Sequence, residues 1–122
     1  MGFLQQNFSN HLEDSTLAVI EANRIAQLIV ANSVPDKIIL IGSAVDGTFR
    51  KFSDLDFVLI YEDGTKIISA RSQLSAARIS PKWPCDYIFA TVERFESMKD
   101  LGGPLYMAHN FGKILYDKRT AI

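Results

Sequence analysis

Two short apolar runs joined by a glycine-containing loop constrain the fold of this chain more than any other feature. Ile38–Ile41 is a β-branched run with the length of a buried strand, and Gly42-Ser43 ends it. A second apolar run opens with Asp54 and has Asp56 two residues later. Because the side chains of a strand alternate between its two faces, we expect these two aspartates to share one face. The sequence therefore predicts two strands with polar residues where one ends and the next begins.

The loop between the two runs predicts how the strands are arranged. Gly42-Ser43 ends the first strand and the aspartates open the second, so the turn reaches the aspartates only if the strands are antiparallel. Ser43 is a favourable N-cap, and a helical turn after it would present backbone N–H groups, a hydroxyl and the positive end of a helix dipole. We therefore expect this turn to hold phosphate groups.

Asp54 and Asp56 are predicted to bind a divalent cation. Two carboxylates at the mouth of an apolar strand face are costly to desolvate unless a positive charge compensates them. Mg²⁺ binds one or two carboxylates together with the phosphates of a substrate. An isolated Asp-x-Asp is more often part of a solvated loop, and the adjacent turn and strand favour the metal site instead.

A third carboxylate is predicted at the same edge of the sheet. Apolar residues recur at helical spacing over Ile67–Ile79, and a strand is predicted over Cys85–Val92. A strand, a crossover helix and a second strand favour a parallel, right-handed arrangement, so the sheet is predicted to be mixed. Asp86 then starts its strand beside Asp54 and Asp56, although a role in capping a turn is the alternative.

The remaining elements follow from apolar spacing and from residues that end helices. A helix is predicted over about residues 10–33, with a capping box starting at Asn10. Its apolar face is formed by Ala18, Ala22, Ile25 and Ile29, and its polar face by Glu21, Arg24 and Gln27. Further predictions are a helix over Glu93–Asp100, a helix from Pro104 to Gly112 and a strand over Lys113–Tyr116.

The turn and the paired aspartates together resemble the signature of the DNA polymerase β-like nucleotidyltransferase superfamily. Within it, the chain most resembles the minimal nucleotidyltransferases. The loop adds further matches at Gly47, Arg50 and Ser53. Asp46 departs from the pattern, since an arginine is common at that position.

The resemblance implies an α/β (α+β) fold, in which helices flank a mixed sheet around a polymerase β palm-like core. One nucleotidyltransferase domain is expected over residues 1–122, with the N-terminal helix at about 10–33 and the catalytic core at about 37–117. Composition agrees, because 122 residues with 48% hydrophobic and 22% charged side chains are typical of one compact domain.

The resemblance also implies an activity and a set of site residues. The expected reaction transfers a nucleoside monophosphate, AMP from ATP, to an acceptor hydroxyl with two Mg²⁺ ions, for which Mn²⁺ is an alternative. The implied catalytic and metal-binding residues are Asp54, Asp56 and Asp86. The implied nucleotide-binding residues are Gly42, Ser43, Arg50 and Ser53. For Arg50, an ordinary solvated loop position is the alternative.

The resemblance implies a macromolecular partner as well. Minimal nucleotidyltransferases commonly pair with a HEPN-type protein, and some act as antitoxins by adenylylating it; a homodimer is the alternative. A non-catalytic nucleotide-binding or protein-interaction subunit is the rival function, which Asp46 favours and the three acids oppose. An aminoglycoside-modifying enzyme fits less well, because such relatives generally add a helical domain.

Charge and composition exclude some other classes of function. The formal net charge is −1, so no general binding to nucleic acid is expected. Cys85 is the single cysteine, which suits a reducing compartment, and no apolar run approaches the roughly 20 residues that span a bilayer. We therefore expect a cytoplasmic protein without a membrane partner. Aromatic residues expected in the core rather than against a base are Trp83, Tyr87, Phe89 and Tyr106.

Overall fold

A computed structural model describes residues 3–50 and 52–120, with side chains described from residue 13 onward. The helices are α1 (Phe3–Ser33), α2 (Ser43–Asp46), α3 (Ile67–Ala76), α4 (Val92–Met98) and α5 (Gly103–Phe111). The strands are β1 (Lys37–Ile41), β2 (Leu55–Tyr61), β3 (Cys85–Thr91) and β4 (Lys113–Asp117). Residues 1–2, 51 and 121–122 of the predicted domain lie outside the described residues.

The strands form one mixed sheet in the order β3-β2-β1-β4. β1 pairs with β2 and with β4 in antiparallel fashion, whereas β2 and β3 are parallel. These pairings confirm the predicted antiparallel first pair and the predicted parallel crossover through α3. The predicted fold class, a mixed sheet flanked by helices, is confirmed.

Helices cover both faces of this sheet. α1 and α3 pack on the face that carries Phe57 and Leu59, whereas α4 and α5 pack on the face that carries Val58 and Ile60. Both faces of β1 and β2 are therefore buried, which explains why their sequences are nearly continuous apolar runs. Asp56 is two residues before Val58 on β2, so its side chain lies on the same face of the sheet, the one covered by α4 and α5, near its end.

The first helix is longer than the sequence indicated. α1 begins at Phe3, whereas the apolar spacing and the capping box placed its start near Asn10. The segment from Phe3 to Asn10 contains neither Gly nor Pro, so nothing in it stops a helix that the following turns already stabilise. The predicted apolar face is confirmed, because all four of its predicted residues are fully buried: Ala18, Ala22, Ile25 and Ile29.

The connection from α5 to β4 depends on a close approach at Gly112. A Cβ atom on Gly112 would clash with the Ile39 side chain and lie 2.5 Å from the Ala108 carbonyl oxygen. The helix can therefore turn directly into the strand that pairs with β1. None of the described helices is both long enough and apolar enough to cross a membrane.

Candidate active site

The turn after β1 is built around a glycine with a positive φ. Gly42 has a φ of 85° and is the N-cap of α2, and its carbonyl oxygen accepts hydrogen bonds from the N–H groups of Val45 and Asp46. Glycine adopts this φ without the steric cost that other residues incur. Ser43 is the first residue of the helix, so its predicted role as N-cap is wrong. The positive φ required at the cap position is the reason.

The phosphate binding predicted for this turn would depend on its backbone N–H groups rather than on a helix dipole. α2 has four residues, which is too short for aligned peptide dipoles to accumulate. The first N–H groups of a helix have no intrahelical acceptor. Those of Ser43 and Ala44 are therefore the groups that could donate to an anion.

The carboxylate of Asp56 lies directly against Gly42. A Cβ atom built on Gly42 would be 2.7 Å from Oδ2 of Asp56, a distance that real Cβ atoms do not reach. The antiparallel register explains this contact, because Asp56 pairs with Ile41, the residue before Gly42. The fold thus brings an acidic side chain and the predicted phosphate-binding turn together.

Asp86 and Asp54 complete the acidic edge of the sheet. Asp86 on β3 is the register partner of Asp56, and Asp54 immediately precedes β2 instead of starting it. Burial raises the pKa of Asp56 above its ordinary value, and the negative charges of Asp86 and Asp54 raise it further. The three carboxylates therefore repel one another at this edge.

The negative charge at this edge suits a cation, although the acids do not form a complete set of metal ligands. Among the described side chains, no group of three or more His, Cys, Asp or Glu residues is arranged to hold a metal ion. Asp54 and Asp86 are exposed, so their rotamers are not fixed by packing. Two aspartates paired by strand register, Asp56 and Asp86, fit Mg²⁺ in number and type, because it takes one or two carboxylates and completes its octahedron with water and phosphate oxygens.

The loop before β2 is closed by two reciprocal hydrogen bonds. The backbone N–H of Ser53 donates to the Arg50 carbonyl oxygen, and the Arg50 N–H donates to Oγ of Ser53, both at 2.9 Å. The Ser53 hydroxyl therefore shapes the turn. The Arg50 side chain is exposed and forms no ion pair with any described acid.

A buried aromatic residue anchors the same loop to the core. Phe49 is fully buried and meets Trp83 edge to face, with ring centroids 5.2 Å apart. Its N–H donates to Oγ of Ser15 on α1 at 3.3 Å. This anchor holds the loop between α1 and the segment that leads into β3. Phe49 was not among the predicted site residues, although an apolar side chain in a polar loop was an available signal.

An ion pair between a buried glutamate and an exposed arginine fixes the segment before Asp86. Glu21 is 3% exposed and accepts two hydrogen bonds from Arg24, at 2.7 and 2.9 Å, and one from the Lys82 N–H at 2.7 Å. Arg24 also donates to the Ser80 carbonyl oxygen at 3.0 Å. The hydrogen bond from Arg24 is the main reason that the pKa of Glu21 is lowered. The predicted placement of Glu21 on the polar face is wrong, because this long-range contact buries it.

Asp46, which departs from the family pattern, is engaged by its own loop. Its Oδ1 accepts hydrogen bonds from the N–H and the hydroxyl of Thr48, next to Gly47 with its φ of 85°. An Asx turn of this kind is a common local use of an aspartate. The carboxylate is therefore directed toward Thr48.

The neighbouring thiol is not a candidate nucleophile. Cys85 is half-buried, and its Sγ donates to the Trp83 carbonyl oxygen at 3.4 Å. Burial is the largest cause that raises the pKa of this thiol to about 11. A thiolate is the reactive form, so Cys85 contributes packing rather than chemistry.

Comparison with known proteins decides the family. The family model described as a nucleotidyltransferase domain matches residues 23–103. The chain belongs to the nucleotidyltransferase domain family. Its matched range includes the Gly42 turn, the loop anchored by Phe49 and all three acids of the sheet edge. Membership of this family indicates transferase activity.

A solved structure shows the same nucleotidyltransferase fold. The 1.40 Å crystal structure of a protein from Sulfolobus solfataricus, assigned as a nucleotidyltransferase, superposes with a TM-score of 0.59 at 15% sequence identity. The similarity covers 90% of this chain and 89% of that one. No curated protein matches the chain. At this identity the likeness concerns the fold.

The predicted site residues thus fall into two groups in this nucleotidyltransferase domain. Gly42, Asp56 and Asp86 are adjacent through strand register and direct contact, with Ser43 and Asp54 next to them in sequence. Arg50 and Ser53 lie in the loop before β2, where their backbone and hydroxyl groups close a turn. Ser53 precedes Asp54 directly, but among the described residues no side-chain hydrogen bond or ion pair joins Arg50 or Ser53 to the three acids.

Proposed function

We propose that this domain transfers a nucleoside monophosphate, AMP from ATP, to an acceptor hydroxyl and releases pyrophosphate. The observation that carries the proposal is the contact between the Asp56 carboxylate and Gly42. It places an acid suited to a metal ion beside the backbone N–H groups suited to phosphate. Nucleotidyl transfer needs these two functions next to each other, since catalysis is mostly positioning and charge neutralisation.

Asp54, Asp56 and Asp86 are the residues that would hold Mg²⁺, or Mn²⁺ in its place. Two bound ions would neutralise the phosphate oxygens and lower the pKa of the acceptor hydroxyl. The raised pKa of Asp56 supports this assignment, because a cation would remove the repulsion that Asp86 and Asp54 impose on it.

The Gly42 turn is assigned to the triphosphate. The N–H groups of Ser43 and Ala44 and the Ser43 hydroxyl would donate to the β- and γ-phosphates, and Gly42 leaves room for the Asp56 carboxylate beside them. Arg50 is exposed on the adjoining loop and carries no ion pair with a described acid, so its guanidinium is available to the same anion.

Asp86 is assigned to the acceptor side. It is exposed at the start of the edge strand β3, whereas the Gly42 turn lies on the opposite side of β2. In an in-line displacement the acceptor oxygen and the leaving pyrophosphate lie on opposite sides of the α-phosphorus. The bond from the acceptor oxygen to phosphorus forms as the bond to pyrophosphate breaks, and Asp86 accepts the hydroxyl proton.

Calorimetry tests the nucleotide-binding half of this proposal. MgATP is expected to bind the wild-type protein, and ATP with a chelator is expected to bind far more weakly. Screening the four ribonucleoside triphosphates with Mg²⁺ and with Mn²⁺ covers the choice of base and of metal. Absence of binding to every one of these combinations would falsify the proposal.

A non-catalytic nucleotide-binding subunit is the second candidate function. Asp46 at a position where arginine is common is the observation that favours it. The hydrogen bonds from Thr48 weaken that argument, because they give the carboxylate a structural role in the loop. Metal-dependent binding of a nucleotide without transfer to any acceptor in a native lysate would favour the subunit.

We also propose that the acceptor belongs to a protein partner, in the first instance a HEPN-type protein that this chain modifies as an antitoxin would. Exposed apolar side chains on the segment around α5 support a protein contact, namely Leu101, Met107 and Phe111. Co-purification from the native cell followed by intact-mass analysis separates the cases. A co-purified protein carrying an added nucleotide supports this partner, whereas a homodimer that modifies a free small molecule contradicts it.

A further inference from the structure

The outer edge of β3 is an unpaired strand edge beside the acceptor side of the site. β3 pairs with β2 alone, and no described strand or loop makes a backbone hydrogen bond to its other side. Alternate N–H and C=O groups along such an edge are ready to pair with an extended polypeptide. The strand starts at Cys85, so the edge leads directly to Asp86.

Arginines without acidic partners flank this edge on both faces of the sheet. Arg71 and Arg78 line a groove of about 320 Å³ that has Tyr87 and Phe89 as its wall. Arg94 lies in a second groove on the opposite face of β3. No acid within residues 3–50 and 52–120 forms an ion pair with any of the three, whereas Arg24 and Arg119 are both paired.

The segment that includes α3 and leads toward β3 carries positive charge only. Residues 66–82 contain basic side chains and no acidic ones, although the whole chain has a formal net charge of −1. The basic residues of this segment are Lys66, Arg71, Arg78 and Lys82. A ligand in the groove between α3 and β3 therefore lies beside the positive charges of Arg71 and Arg78, which favour an anionic ligand on that face of the strand.

The aromatic residues of the groove favour a polypeptide over a nucleic acid. Tyr87 is stacked on Phe57, and Phe89 is stacked on Tyr61 while the Arg71 guanidinium lies over its ring at 4.5 Å. The Phe89 ring is therefore contacted by Tyr61 and by Arg71, and one face of the Tyr87 ring is covered by Phe57. Single-stranded nucleic acids bind largely by stacking successive bases on exposed aromatic faces, and this groove offers at most one face of Tyr87.

We propose that the outer edge of β3 binds an extended, acidic segment of the acceptor protein and so delivers its hydroxyl group to Asp86. The segment would add a strand to the sheet, with its carboxylates on Arg71 and Arg78 and, across the strand, on Arg94. This inference rests on the proposed function for the identity of the reaction, but the binding of the segment itself requires no nucleotide.

Fluorescence anisotropy with labelled peptides tests the charge preference. The probe is a peptide with a central tyrosine flanked by glutamates, and its twin has glutamine at every glutamate position. The acidic peptide is expected to bind more tightly, and its affinity is expected to fall with salt. In Arg71→Gln/Arg78→Gln the affinity should fall about tenfold, because two exposed charge pairs, each of modest strength, are lost together. The control Lys113→Gln/Arg119→Gln removes two charges at the opposite edge and should change little.

Hydrogen exchange locates the bound peptide. Amides of β3 are expected to gain protection when the acidic peptide is added, and amides of the other edge strand, β4, are not. Equal binding of the glutamine twin, protection away from β3, or stronger competition by a single-stranded RNA would each overturn the proposal. So would arginine variants that self-associate but still bind the peptide normally, because the arginines would then serve only to block edge-to-edge pairing.

MgATP calorimetry on the same preparations separates this inference from the proposed function. Nucleotide binding without a peptide on β3 would overturn the docking edge and leave nucleotidyl transfer intact. A peptide bound along β3 in a protein that binds no nucleotide would support the docking edge and contradict nucleotidyl transfer.

Discussion

At the scale of single residues, the site depends on an approach that only glycine permits. Gly42 combines a φ of 85° with a carboxylate in the space that a Cβ atom would fill. Other glycines share the positive φ but face open space, as Gly64 does with a φ of 87°. The chain therefore contains its own control for separating backbone strain from loss of the contact with Asp56.

Gly42→Ala is expected to weaken MgATP binding by at least tenfold and to lower the free energy of unfolding by about 1–3 kcal/mol, because a φ of 85° with a ψ of −155° is essentially restricted to glycine. Gly64→Ala, at a φ of 87°, should also lose stability but leave the nucleotide affinity unchanged. Urea unfolding and calorimetry measure the two quantities. Equal nucleotide affinities in the two variants would show that the contact with Asp56 has no part in the site.

The raised pKa of Asp56 predicts a gain in stability when its charge is removed. A carboxyl group with a raised pKa in the folded protein destabilises the fold once the pH exceeds the ordinary value of 3.8, and fully so above the raised value. Asp56→Asn should therefore unfold at a higher urea concentration at neutral pH. The gain should shrink as the pH falls through the raised pKa and toward 3.8.

The expected gain is below about 1 kcal/mol, because Asp56 is partly exposed and solvent screens the repulsion. Asp100→Asn, an exposed position away from the acidic edge, is the control and should show no such dependence on pH. Mg²⁺ should stabilise the wild-type protein and have less effect on Asp56→Asn. A variant that is less stable at neutral pH would contradict the proposed repulsion.

At the scale of elements, α1 positions Asp86 through the Glu21–Arg24 pair. Their hydrogen bonds to Lys82 and Ser80 fasten the segment that leads into β3, and Asp86 is near the start of that strand. The edge strand has a neighbour on one side only, so this attachment replaces some of the support that a second strand would provide.

Glu21→Gln is expected to lower the free energy of unfolding by about 1–3 kcal/mol, because it weakens charge-assisted hydrogen bonds at a buried position. The pKa of Glu21 is lowered from 4.5, so its stabilising effect is complete above that value and is lost as the pH falls through the lowered pKa. The difference in the free energy of unfolding between wild type and variant should therefore shrink as the pH falls through that lowered pKa. Glu13→Gln, exposed on the same helix, is the control, and an equal effect there would contradict this role.

The same elements show why some features could be predicted and others could not. The pairing of β1 with β2 and the crossover to β3 follow from local patterns and from handedness, so they were predictable. The start of α1 was not, because Asn10 is a cap residue that a helix tolerates when no Gly or Pro interrupts it. The burial of Glu21 was not predictable either, since its partners lie far along the chain.

At the scale of the whole molecule, strand register explains how the candidate site comes together. The antiparallel register of β1 and β2 sets Asp56 against Gly42, and the parallel register of β2 and β3 sets Asp86 beside Asp56. The sequence predicted which residues reach the edge, because that depends on topology. It could not predict the φ of Gly42 or the hydrogen bonds of Asp46 to Thr48, because those depend on the path of one turn.

We expect the edge formed by the Gly42 turn and the three acids to transfer a nucleotide. The most direct measurement is the intact mass of proteins in a native lysate after incubation with the purified chain, Mg²⁺ and either ATP or isotopically heavy ATP. We expect one acceptor to gain the mass of an adenylyl group, heavier by the isotope shift with heavy ATP, and to gain nothing with folded Asp54→Asn/Asp56→Asn. Equal modification by that variant, or none by the wild type with any of the four nucleotides and either metal, would contradict the account.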